Sequence, residues 1–180
     1  MRIELVTDRL ELVDADALLL PVDGQLCRLG GAATNAIRAA LDPEERAEEL
    51  EYLEEELARL RPPPHPQANV IGGVARWGSI LVSAAYPHNV DGAIHGAADC
   101  ARMLRAAIPQ AIAVAETAQL GSIAAALIGT AYRMTAEQAV RAFVDALAAA
   151  KASDIVVRWS LPDDEHRQLA RTACERLGLA

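Results

Sequence analysis

The chain has 180 residues, of which 52% are hydrophobic and 3% are aromatic. This length supports one full core, so we predict a single domain over residues 1–180. The formal net charge of −8 argues against a duplex nucleic-acid binder, because phosphate contacts need a basic face. Most of the excess acid lies in residues 42–61, which hold nine acidic and three basic residues. A small ligand that carries phosphate is therefore compatible with the rest of the chain.

The cysteines and the apolar segments indicate the compartment. Cys27, Cys100 and Cys174 are odd in number and widely spaced, which indicates neither a disulfide framework nor a zinc site. The opening segment, Arg2 to Val6, has a strand pattern rather than that of a signal peptide, and no apolar stretch is long enough to cross a bilayer. We therefore expect a cytoplasmic protein with no cofactor, no metal, no membrane contact and no duplex nucleic-acid partner.

Six apolar runs are candidate strands. The second run is apolar on both faces, as a central strand should be. Trp77-Gly78-Ser79 separates the third run from the fourth, a pattern typical of a hairpin or of two adjacent strands. The six runs are Ile3–Val6, Ala17–Leu20, Val70–Ala75, Ile80–Ala84, Ser122–Leu127 and Ile155–Trp159.

Helical patterns lie between these runs. Asp42-Pro43-Glu44-Glu45 predicts a helix start, since it combines a capping side chain, an early proline and first-turn acids. The leucines that follow form a stripe of less than two heptads, which favours packing on the chain's own body over a coiled-coil seam. The helix over 43–61 is nevertheless a candidate homodimer contact. The predicted helices span Ala33–Leu41, the segment from Asp42 to the prolines at 62–64, Ile94–Ala107, Thr135–Ala150 and Asp163–Leu177.

Strands that alternate with helices predict the fold class and a place for a ligand. We expect an α/β fold, a three-layer α/β/α sandwich around a mixed, mostly parallel six-stranded sheet. Glycines follow two of its strands, at Gly24 with Gly30-Gly31 and at Gly129. Loops at the carboxyl ends of neighbouring strands form a crevice, and helices that start there present unpaired N–H groups to phosphate. The sequence therefore predicts a cleft for an anionic ligand.

The order of elements and the loop residues together resemble the macro domain family. Thr7-Asp8-Arg9 stands where that family has Gly-Asp-Ile after its first strand. Asp16 to Asp23, followed by Gly30-Gly31-Ala32, is similar to the family's Asp-Ala-Ile-Val-Asn-Ala-Ala-Asn and its glycine run. Ile80 to Pro87 and Ser122 to Ala131 resemble two later family segments. The resemblance extends from Ile3 to about Trp159.

The resemblance implies a module that binds ADP-ribose or a related nucleotide. By the same resemblance, Asp8 would accept a hydrogen bond from the adenine amine, Trp159 would contact the adenine, and glycine-rich loops would hold the diphosphate. Arg133 would pair with a phosphate and Tyr132 would cover the distal ribose. The ligand-binding residues implied are Asp8, Asp23, Gly24, Gly30, Gly31, Gly129, Thr130, Ala131, Tyr132, Arg133 and Trp159.

Two departures from the family pattern bear on catalysis. Asp23 and Thr34 stand where hydrolytic members have the Asn and Asp that hold the distal ribose and a water. The sole lysine, Lys151, is distant in sequence from either loop, and no Glu-Glu pair follows the glycines. These departures argue against hydrolysis and leave the catalytic residues unassigned, with Asp23 as the candidate.

Each candidate residue also has a purely structural interpretation. Asp8 and Asp23 are each typical of turns, Trp159 of a buried strand end, and Arg133 of a surface loop. His88, near Asp91, has no nucleophile at a recognisable spacing and is interpreted as an ordinary loop residue. Three functions therefore stay open, namely a nucleotide-binding module, a hydrolase of ADP-ribosyl or O-acetyl-ADP-ribose substrates, and an interaction or scaffold domain that no longer binds a ligand, comparable to the macro-like amino-terminal domain of leucyl aminopeptidases.

Overall fold

The computed structural model describes residues 1–23, 29, 31–60, 66, 68–86, 96–130 and 134–179. Within these residues, six strands and five α-helices alternate along the chain, with one short 3-10 helix after the first strand. The elements are β1 (Arg2–Val6), the 3-10 helix (Leu10–Leu12), β2 (Ala17–Asp23), α1 (Gly31–Ala40), α2 (Arg46–Arg59), β3 (Ala68–Val74), β4 (Trp77–Tyr86), α3 (Ala97–Thr117), β5 (Ser122–Ala125), α4 (Ala136–Ala148), β6 (Val156–Ser160) and α5 (Asp164–Leu177).

The strands form one six-stranded sheet in the order β1-β6-β5-β2-β4-β3. Every neighbouring pair is parallel except β3 with β4, which is antiparallel. The predicted mixed, mostly parallel sheet is therefore confirmed. The five parallel strands direct their carboxyl ends toward the same edge of the sheet.

Both faces of the sheet are covered by helices. Along β2, Leu18 and Leu20 join the buried cluster that contains α1 and α2, whereas Ala17 and Leu19 join the cluster that contains α3, α4 and α5. Alternate side chains of a strand point to opposite faces, so a strand that is apolar throughout is buried on both sides. This arrangement is the predicted three-layer sandwich.

The amino edge of the sheet is fixed by Asp16, just before β2. Its Oδ2 accepts hydrogen bonds from the amides of Gly121 and Ser122, at 2.7 and 2.9 Å. Its own amide donates to Ser122 Oγ at 3.0 Å, and its carbonyl accepts from the Ser79 amide at 3.1 Å. Asp16 thus joins the starts of β5 and β2 to the early part of β4.

The β3–β4 hairpin turns earlier than the sequence suggested. Trp77-Gly78-Ser79 was predicted to separate the two strands, but these residues belong to β4 and the turn lies at 75–76. A Cβ at Gly73 would lie 2.2 Å from the Trp77 carbonyl oxygen, so glycine permits the close approach of the two strands. Ala75 takes a positive φ of 54° in the turn, and Trp77 is buried with its Nε1 donating to the Val13 carbonyl at 3.1 Å.

Two helices have bounds that differ from those predicted. α3 was expected to end at Ala107 but continues to Thr117, with Pro109 inside it. α2 begins at Arg46 rather than at Asp42, whose side chain instead accepts from the Glu44 amide at 3.0 Å in the preceding turn. The predicted leucine stripe of α2 packs on the chain's own body, because its central leucines at 53 and 57 are fully buried. No helix among the described residues is long and apolar enough to span a membrane.

Candidate functional site

The carboxyl edge of the sheet, where β2 runs further than β5, is the place of the expected crevice. β5 pairs with β2 only at Ala17 and Leu18, whereas β2 stays paired with β4 as far as Asp23. Pro21 lies in this last stretch of β2, where a missing N–H is tolerated because β2 has a strand neighbour on one side only. The next helices, α1 after β2 and α4 after β5, pack on opposite faces of the sheet. Neighbouring strands whose connections leave toward opposite faces mark the place where α/β sheets bind ligands.

The amino end of α1 faces this carboxyl edge. Gly31, its first residue, has φ +73°, and a Cβ there would meet no atom of the described residues within 4 Å. The first N–H groups of a helix have no intrahelical acceptor and attract anions. Gly31 therefore begins α1 in a backbone conformation that favours glycine, next to helix N–H groups that have no intrahelical acceptor.

The segment after β5 forms the other side of the crevice. Gly129 is buried with φ +113°, and a Cβ there would lie 2.5 Å from Met134 Sδ. Thr130 follows it and is exposed. The amino end of α4 is already capped, because Thr135 Oγ1 accepts from the Gln138 amide at 3.2 Å and Gln138 Oε1 accepts from the Thr135 amide at 3.0 Å. On this side, donors to a ligand would come from the loop rather than from those capped amides.

The two positions that depart from the family pattern lie in different surroundings. Asp23 is half-buried at the end of β2, where the register with β4 shifts and Asp23 comes opposite Tyr86. Thr34 lies in the first turns of α1 and has no exposed surface. Of these two positions, only the one at the end of β2 carries a carboxylate, that of Asp23.

Asp8 lies at the same edge of the sheet, two residues after β1. It is exposed, and its main-chain oxygen accepts a hydrogen bond from Ser160 Oγ at 2.7 Å. The Leu161 amide also donates to the Val6 carbonyl at 3.0 Å. Three strand spacings separate β1 from β2, so Asp8 and Asp23 lie roughly 14 Å apart across the strands. Ser160 was not predicted from the sequence; its signal is a polar side chain at the end of an apolar strand.

Trp159 does not lie at the crevice surface. It was expected to end the last strand and contact adenine; it lies in β6, but it is fully buried. Its ring packs on Phe143 with the centroids 4.8 Å apart and the planes at 60°, a tilted geometry that stabilises aromatic pairs. Among the described residues, the indole Nε1 has no hydrogen-bond partner. The observed role of this side chain is thus to fill the core between β6 and α4.

Several predicted site residues lie outside the described residues. They are Gly24, Gly30, Ala131, Tyr132 and Arg133, together with the His88–Asp91 pair. Of the predicted set, Asp23 ends β2, Gly31 begins α1, Gly129 and Thr130 follow β5, and Asp8 follows β1. Among the described residues, no group of three or more His, Cys, Asp or Glu side chains could hold a metal ion.

This sheet order, with two helices on one face and three on the other, is the fold of macrodomains. The macrodomain of Oceanobacillus iheyensis, solved with ADP, superposes with a TM-score of 0.73 at 16% identity, over 97% of this chain and 90% of that one. A mutant of the same protein, solved with ADPR, gives a TM-score of 0.74 at 16% identity, over 99% and 94%.

Two further solved structures have the same fold. The macro domain of ganglioside induced differentiation associated protein 2 gives a TM-score of 0.70 at 12% identity, over 98% of this chain and 84% of that one. The Trypanosoma brucei macrodomain in complex with ADP gives 0.68 at 16% identity, over 96% and 68%. No protein-family model and no curated protein matches the sequence. At these identities the comparisons establish the fold.

Proposed function

We propose that this protein is a divergent macro domain that binds ADP-ribose or a related nucleotide diphosphate in the crevice between β2 and β5. The observation that carries the proposal is the pair of positive-φ glycines that follow two adjacent parallel strands, Gly31 at the start of α1 after β2 and Gly129 after β5. Proteins of the same fold have been solved with ADP and with ADPR, which supports the choice of ligand.

The ligand would lie along the carboxyl edge of the sheet. Its diphosphate meets the open amino end of α1 at Gly31, and the loop at Gly129 and Thr130 supplies main-chain donors from the other side. Asp8, near the end of β1, accepts from the adenine amine, as the resemblance implies. Arg133 adds a bidentate contact to a phosphate, which offsets the repulsion between Asp23 and the ligand's negative charges.

Binding without hydrolysis is the expected activity. The alternative, a hydrolase of ADP-ribosyl or O-acetyl-ADP-ribose substrates, needs a carboxylate and an amide to hold the distal ribose and a water. In this chain the first position is the fully buried Thr34 and the second is Asp23. A buried hydroxyl of ordinary basicity is a poor replacement for a carboxylate as an acceptor of a water proton.

Calorimetry with ADP-ribose, followed by a turnover assay on a mono-ADP-ribosylated protein, tests the proposal. Saturable binding without turnover is expected, and Asp8→Asn should weaken it. Asp14→Asn is the matched control, because Asp14 is an exposed acid in the loop before β2, away from the carboxyl edge. Absence of binding would leave the scaffold alternative, whereas turnover by the unmodified protein would favour the hydrolase.

A further inference from the structure

The sheet ends on one side in a strand that lacks the usual protection against pairing. β3 pairs with β4 along one of its sides, and no described strand pairs with the other. Its seven residues, Ala68–Val74, include no charged residue and no proline. Natural edge strands are commonly blunted by charges, prolines or bulges, because their outward N–H and C=O groups otherwise accept another strand. β3 is therefore suited to strand addition.

A groove beside this edge gives the added strand a place for its side chains. The groove lies between α2 and β3, has a volume of about 410 Å³, and is lined by Glu45, Glu48, Glu49, Tyr52 and Gly73. Tyr52 is 38% exposed, and its hydroxyl lies over the neighbouring Gly72, where a Cβ would come within 2.2 Å of it. Because Gly72 and Gly73 carry no side chains, this part of β3 does not fill the groove.

The negative charge beside this edge favours a basic partner over a second copy of the chain. Residues 42–61 carry a net charge of −6, and none of the three groove glutamates pairs with a cation among the described residues. Suppose that a second copy paired its own β3 with this edge, through a twofold axis normal to the sheet. The α2 helices of the two copies would then lie on the same face of the joined sheet. Like charges would then meet across the seam, which costs free energy. A basic segment would instead gain from the same charges.

We propose that β3 and α2 bind an extended basic segment of a partner protein, which adds to the sheet next to β3 as a further strand. Main-chain hydrogen bonds to β3 supply affinity, and alternate side chains, all on one face of the added strand, direct lysine or arginine onto Glu45, Glu48 and Glu49. This surface is separate from the nucleotide crevice, since β4 lies between β3 and β2.

The probe is a blocked twelve-residue peptide of alternating lysine and threonine, titrated into the full chain. Binding is followed by the backbone amide shifts and by amide hydrogen exchange. We expect slowed exchange in residues 68–74, and an affinity that falls about tenfold when Glu45, Glu48 and Glu49 are all changed to glutamine, since each exposed ion pair contributes modestly. The matched control changes Glu51, Glu54 and Glu55 to glutamine, which removes the same charge from exposed positions of α2 outside the groove.

A second peptide separates strand addition from simple charge attraction. It keeps every side chain and carries a methyl group on every backbone nitrogen, which removes all of the backbone donors. The proposal requires that this peptide binds much more weakly than the first. Equal binding of the two peptides, equal losses in the two triple variants, or no slowed exchange in β3 would overturn it. Slowed exchange in β3 that depends on protein concentration alone would also overturn it and would assign the edge to a second copy.

Discussion

Asp16 and Ser122 bond to each other reciprocally across the amino edge of the sheet. Asp16 Oδ2 accepts from the Ser122 amide at 2.9 Å, and Ser122 Oγ accepts from the Asp16 amide at 3.0 Å. This pair sets the register of β2 against β5, and with it the relative positions of the two strand ends that border the crevice. A contact at one edge of the sheet thus positions the loops at the other edge.

Asp16→Ala should lower the free energy of unfolding by about 1 to 2 kcal/mol. The variant removes a carboxylate that accepts hydrogen bonds from two amides. Because Asp16 is exposed, these charged hydrogen bonds stabilise the fold less than buried ones would. Urea denaturation measures the change. Asp14→Ala is the control, because Asp14 is also exposed and is paired only with Arg76 among the described residues. Equal losses in the two variants would show that the contacts with Gly121 and Ser122 contribute nothing specific.

Gly129→Ala should destabilise the protein more than Gly31→Ala. Both glycines have positive φ, but only at Gly129 would a Cβ overlap another side chain, at Met134 Sδ. We expect a loss of about 2 to 4 kcal/mol at Gly129, from backbone strain and overpacking together, and about 1 kcal/mol at Gly31. Thermal and urea unfolding measure both. Gly96→Ala is the control, since Gly96 has a negative φ and a Cβ there would meet no atom of the described residues within 4 Å. A loss there as large as at Gly129 would contradict the argument.

Trp159 should be insensitive to ligand. In Trp77→Phe, Trp159 is the sole tryptophan, and its buried indole should emit at short wavelength and resist quenching by iodide. Saturating ADP-ribose should leave this emission unchanged, because the ring packs on Phe143 in the core. The same titration on the unmodified chain shows whether the result depends on a loss of stability caused by Trp77→Phe. Strong quenching by the ligand would contradict this prediction and would support a contact between Trp159 and adenine.

Stability should fall as the pH rises above 9. Burial raises the pKa of the Cys100 and Cys174 thiols to about 11, from 9.0 for an unburied thiol. A pKa that is higher in the folded state means that the folded chain holds its protons more tightly, so their contribution to stability is present below pH 9 and is lost between about pH 9 and 11. Unfolding by urea at pH 8, 9, 10 and 11 measures the slope. Changing both cysteines to alanine should flatten it, and an unchanged slope would assign the loss to other groups.

The sequence predicted the layers of the fold because these depend on strong local signals. Strands apolar on both faces, such as Ala17–Leu20, must be central, and glycine after them marks a turn with positive φ. The apolar run that predicted β2 ended at Leu20. In the structure β2 continues through Pro21 to Asp23, since β4 alone is its neighbour there. The burial of Trp159 depends on α4 packing over β6, a tertiary contact that no local pattern records.

Asp23→Asn should bind ADP-ribose as tightly as the unmodified protein or more tightly. A carboxylate near a diphosphate repels it, and its removal can strengthen binding by up to about 1 kcal/mol. Arg133→Ala should weaken binding by about 1.5 to 3 kcal/mol, the usual worth of a hydrogen bond to a charged group. Calorimetry on the two variants checks both directions. Asp23→Asn restores the residue of the family pattern without restoring the acid at Thr34, so neither form should release ADP-ribose from a modified protein. Turnover in the unmodified protein that disappears in Asp23→Asn would make Asp23 the catalytic group and the protein a hydrolase.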